Sequence, residues 1–91
     1  MATLKNKEKR QDLRHDLYRR LETDGVPLPQ TVKELRKILG LNQAAFAKML
    51  GQSLSTLRKI EQQSGNVTLE SVLKILEKFS LELVVKRQQR P

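Results

Sequence analysis

The chain has 91 residues, no cysteine, and a formal charge of +8 at pH 7, with a pI near 10.2. That suits one domain with a modest core and a polyanionic partner, and it excludes disulfides and thiolate metal sites. Only 3% of the residues are aromatic and none is Trp, so an aliphatic core is expected and base-stacking platforms for single strands are disfavoured.

No apolar run approaches the ~18 residues of a membrane span, and the opening MATLKNKEKRQD lacks the apolar stretch of a secretion signal. We therefore expect a cytoplasmic protein, nucleoid-associated if it binds DNA, with no membrane contact. Residues 26–66 carry six basic and two acidic side chains, against seven and five in 1–25 and five and three in 67–91. The middle of the chain is the least neutralised.

Residues 5–23 read as an amphipathic helix, with Leu13, Leu17 and Leu21 four residues apart and Tyr18 beside them. Gly25 is placed to end it in a left-handed cap. The apolar stripe has two possible destinations, a partner protein or the chain's own domain or dimer. Val26 to Pro29 carries two prolines, and with Gln30 it reads as a linker. Thr31 and Glu34 have capping-box spacing, so a second helix is expected from there, with Val32, Leu35, Ile38 and Leu39 inward and Gly40 as its stop.

Asn42 suits the N-cap of a third helix, whose inner face is Phe46, Ala47 and Leu50 and whose end is Gly51. Ser53 suits the cap of a fourth, with Leu57 and Ile60 inward. After the loop Ser64, Gly65, Asn66, Thr68 can cap a fifth, with Leu69, Val72, Leu73, Leu76 and Phe79 on one apolar side. From Ser80 to Lys86 the pattern turns short, β-branched at two positions and partly alternating, as for a strand of about five or six residues within it. That segment reads either as a strand or as the tail of the last helix. A strand needs a mate, and the chain offers none, so the strand reading implies antiparallel pairing with a second copy through Leu81, Leu83, Val84 and Val85.

The expected fold is mainly α: a bundle of four to five helices with a helix-turn-helix, plus a short C-terminal strand pairing across a dimer. The organisation expected is a helix at 1–25, a linker at 26–30, a DNA-binding domain at 31–80, and a dimerisation strand and basic tail at 81–91. The central motif spans Gln43 to Gln62. Ala47 is small enough for two helices to cross closely, Gly51 tolerates the positive φ of a tight turn, and Leu57 and Ile60 anchor the second helix. Its other face is then free for a major groove.

The segment LRKILGLNQAAFAKMLGQSLSTLRKIE, followed by TLESVLKILEKFSLEL, resembles the Xre/Cro–C1 repressor-type helix-turn-helix domain over about residues 31–81. The segment after the last helix and the short basic ending resemble the HipB-like antitoxins paired with HipA-type kinase toxins. The long charged helix before residue 26 and the short tail after Lys86 depart from that subgroup. The resemblance implies a transcriptional repressor acting as a homodimer on a palindromic double-stranded operator. Its narrower form implies an autoregulating antitoxin with a HipA-like partner. The alternatives are a stand-alone regulator or a module that mainly sequesters a partner protein.

Candidate DNA contacts are Gln43, Ser53, Leu54, Ser55, Thr56, Arg58, Lys59 and Gln62. Arg58 has the fork that bridges guanine O6 and N7, and Leu54 suits a thymine methyl. Arg58 and Lys59 also fit a merely solvated helix face. Gln43 opens its helix, where an amide and the free N–H groups suit a phosphate, and the resemblance implies the same role. The resemblance further implies an ion pair between Arg36 and Glu61. We expect no cofactor, no metal and no catalysis; His15 stands alone among charged residues.

Overall fold

The computed structural model describes residues 3–85 and Arg87. Five helices follow one another: α1 (Thr3–Thr23), α2 (Leu28–Leu39), α3 (Gln43–Leu50), α4 (Leu54–Gln62) and α5 (Leu69–Glu77). Their apolar stripes converge on one core containing Leu17, Val32, Leu35, Ile38, Phe46, Ala47, Leu50, Leu57, Ile60, Val72, Ile75 and Leu76. Phe46 sits fully buried in its midst, its ring 6.3 Å from that of Phe79.

The joints between helices explain the path of the chain. Gly40 and Gly51 adopt φ of 69° and 70°, the left-handed region that side chains resist. Each sends the chain straight into the next helix, with Leu41 N–H donating to Arg36 C=O (3.2 Å) and Gln52 N–H to Ala47 C=O (2.9 Å). Asn42, Ser53 and Thr68 then cap α3, α4 and α5, accepting from the amides of Ala45, Thr56 and Ser71.

Several sequence expectations need correction. α2 begins at Leu28, not Thr31, because Pro29 falls in its first turn, where a missing N–H costs nothing. Thr31 is instead buried, its hydroxyl bonded back to the carbonyls of Val26 (3.3 Å) and Pro27 (3.0 Å). On α5 the buried side centres on Val72, Ile75 and Leu76, so Leu69 and Leu73 lie on an exposed flank (60% and 44%). Leu39, expected inward, is likewise exposed, and so is Leu13 of the α1 stripe.

α1 turns its stripe onto the domain itself. Leu17 is fully buried, Leu21 packs at the core's edge, and Tyr18 O–H reaches the Phe79 carbonyl at 3.4 Å. Arg20 pairs with Glu34 on α2. At the other end of α2, Arg10 lies against Gly40, where a Cβ would come within 2.6 Å of its guanidinium. α1 is thus antiparallel to α2 and runs on past it by about two turns, roughly 10 Å.

Beyond α5 the chain tightens. Phe79 N–H and Ser80 N–H donate three residues back, to Leu76 (3.0 Å) and Glu77 (3.1 Å). Ser80 enters the left-handed region at φ 57°, and Leu81 N–H closes the end onto Leu76 C=O at 2.9 Å. Ser80 therefore belongs to the helix end. Residues 81–85 carry no regular secondary structure, and no strand is found among the described residues. Lys86 and residues 88–91 of the expected strand and tail lie outside the described residues.

Candidate nucleic-acid interface

α3 and α4 form the helix-turn-helix pair that the spacing of Ala47, Gly51, Leu57 and Ile60 predicts; all but Gly51 are buried. A step of 100° per residue places Leu57, Ile60 and Glu61 on the inner side of α4. Ser55, Arg58, Lys59 and Gln62 are exposed on the remainder. The single acidic residue of α4 is Glu61, only 2% exposed, so the outer face carries two cations and no exposed acid.

The other candidates divide by position. Ser53 and Thr56 are engaged with each other: Ser53 Oγ accepts from Thr56 N–H at 3.0 Å and its hydroxyl donates to Thr56 Oγ1 at 2.9 Å. They fix the first turn of α4. Leu54 is half-buried beside them, so part of its surface is already covered. Lys59 lays its alkyl stem over Gly65, where a Cβ would meet its Cδ and Cε at 3.3 Å.

Gln43 is half-buried at the start of α3 and is held at both ends of its amide. Its Nε2 donates to Glu61 Oε1 (3.2 Å), and its Oε1 accepts from Arg58 Nε (3.4 Å). Glu61 in turn receives Arg36 on both oxygens, Nε on Oε2 at 2.9 Å and Nη2 on Oε1 at 3.0 Å. Arg36 Nη1 also donates to the Leu41 carbonyl at 3.3 Å. One buried carboxylate thereby ties α2, the α2–α3 turn, α3 and α4 together, and no buried side-chain polar atom among the described residues is left unpartnered. The Arg36–Glu61 pair is present as the resemblance implies. The links from Gln43 to Glu61 and Arg58 were not foreseen, since nothing in residue spacing shows which way an amide turns.

Elsewhere the chemistry is sparse. His15 is exposed on α1, and no group of His, Asp and Glu among the described residues is arranged to hold a metal ion. No helix among them is long and apolar enough to cross a membrane. Residues 32–85, more than half of the chain, match the family model described as helix-turn-helix. No curated protein and no solved structure matches the chain.

Proposed function

Since this chain belongs to the helix-turn-helix family, and so is a DNA-binding transcription regulator, we propose that it is a sequence-specific repressor acting as a homodimer. The observation that carries this is the outer face of α4: Ser55, Arg58, Lys59 and Gln62 exposed, cationic and without an acid, on a helix locked at its start by Ser53 and at its end by Glu61. Such a helix enters the major groove with its first turns at the base edges. Ser55, Arg58 and Lys59 then read bases or touch phosphates, Gln62 reaches the flanking backbone, and Ser53, Leu54 and Thr56 shape the entry.

Dimerisation is assigned to Leu81, Leu83, Val84 and Val85. Their backbone has no strand partner within the described chain, and Val84 and Val85 are 68% and 95% exposed. Antiparallel pairing with a second copy supplies the missing hydrogen bonds and covers these side chains. Residues 28–80, which take in the whole of α2, serve as the DNA-binding unit and 81–91 as the dimerisation segment. The narrower reading, an antitoxin held by a HipA-like kinase toxin, draws support only from the resemblance of that segment. The apolar stripe of α1, which could have docked on a partner protein, has Leu17 and Leu21 turned onto its own core, with Leu13 left exposed.

Selection from a library of randomised duplexes tests the proposal. The expected product is a palindrome whose half-sites lie about one helical turn, ~34 Å, apart. A library that shows no enrichment would contradict sequence-specific recognition, and an asymmetric single half-site would contradict the dimer.

A further inference from the structure

The amide of Gln43 is engaged at both ends, and the order of those engagements has a consequence for base reading. Glu61 is buried, and a carboxylate gripped on both oxygens by a guanidinium acts only as an acceptor. The end of the Gln43 amide facing it is therefore the NH2 group, at 3.2 Å. The amide is planar, so fixing its nitrogen fixes its oxygen on the far side, toward the outer face of α4. There it accepts from Nε of Arg58 at 3.4 Å. Only Nε is used. The terminal nitrogens of Arg58 carry no partner among the described residues, and those are the donors that match guanine O6 and N7.

We infer that Gln43 is a positioning residue for Arg58: polarised by the buried Glu61, its amide holds the guanidinium by Nε with the terminal nitrogens presented outward. The inference rests on the reading that α4 enters the major groove. A long, rotamer-rich side chain held in advance loses less freedom on binding, so the hold strengthens the sequence that Arg58 reads. It also changes the role expected of Gln43. A phosphate at the start of α3 would be met by the helix's own first-turn N–H groups. The side-chain amide stays with Glu61 and Arg58, so its loss weakens some sequences and spares others.

A double-mutant cycle decides between the two roles. Wild type, Gln43→Met, Arg58→Ala and the double variant are titrated by fluorescence anisotropy against the duplex enriched from a randomised library and against a scrambled duplex. All four are checked for fold by circular dichroism. Gln43→Met should weaken the enriched duplex about tenfold, yet less than about twofold in the Arg58→Ala background and on the scrambled duplex. Gln43→Asn, two-ended but a methylene short, should repeat that pattern. Equal losses on both duplexes that persist without Arg58 would overturn the inference alone and return Gln43 to the phosphate. A wild type with no preference for any duplex would overturn the groove reading as well. In the DNA-free protein, the Nε–H resonance of Arg58 should be ordered and become mobile in Gln43→Met; identical relaxation in both overturns the hold directly.

Discussion

Arg36→Met isolates the ion pair that organises the site. Glu61 is 2% exposed and both of its oxygens rest on Arg36, so the substitution strands a buried carboxylate with Gln43 Nε2 alone. Breaking one side of such a pair costs about 3–5 kcal/mol. A domain of this size holds roughly 5–14 kcal/mol in all, so a large share of the stability goes and Tm falls on the order of 20 °C. Glu61→Met should cost less. The guanidinium it leaves behind belongs to a side chain 20% exposed, which reaches water and keeps the Leu41 carbonyl. Replacing both residues by Met removes the stranded charge, so the double variant should recover most of the loss of Arg36→Met. Thermal unfolding by circular dichroism measures all three. A loss below about 1 kcal/mol for Arg36→Met, or a double variant no better than the single, would refute the reasoning.

Three further outcomes follow from other parts of the molecule. Gly51→Ala should cost about 1 kcal/mol in denaturant unfolding through its φ of 70° alone, since nothing lies within 4 Å of a Cβ there; Gly51→Asn should cost less, and equal losses would point to a steric cause. Arg20 holds the Glu34 carboxyl below its usual range by hydrogen bonding, and Arg19 and Arg20 do the same for Asp16. A depressed carboxylate stabilises above its unfolded pKa, near ~4.3 for Glu, and that stabilisation is lost as pH falls through the lower folded value. Protection of the α1 amides from hydrogen exchange, taken relative to their intrinsic rates at each pH, should thus fall on acidification more than that of the α5 amides, and Arg20→Met should remove the difference; an unchanged difference would contradict the link. Leu83→Pro removes a ladder donor and fixes φ, so sedimentation should show a monomer, and a persistent dimer would move the interface elsewhere, first to the exposed Leu69 and Leu73.

Much of this was legible in the sequence because the joints are written in residue chemistry. Asn42, Ser53 and Thr68 announce three caps, Gly40 and Gly51 two left-handed turns, and the four-residue spacing of Leu13, Leu17 and Leu21 a helix. The misses have physical causes. Pro29 reads as a breaker, yet it is harmless in a first turn, and Thr31 then turns its hydroxyl backward instead of capping. Ser80 takes a left-handed φ without being glycine, so the end of α5 left no mark in composition. Leu69 and Leu73 have helical spacing with Val72 and Leu76, but periodicity cannot fix which part of a wide stripe meets the core. At the site, the outer face of α4 followed from its inner one. The contacts of Gln43 did not, because they depend on the crossing of α3 over α4 and on a buried carboxylate from the far end of that helix.

The most direct test of the central claim, that the cationic face of α4 and the start of α3 lie on duplex DNA, is the dependence of affinity on salt. Log K for the enriched duplex should fall linearly with log salt, by about 0.9 per neutralised phosphate, giving a slope near −5 for roughly six contacts per dimer. Lys59→Ala should flatten that slope by about one for each contact removed. A slope near zero, or one that Lys59→Ala and Arg58→Ala both leave unchanged, would contradict it.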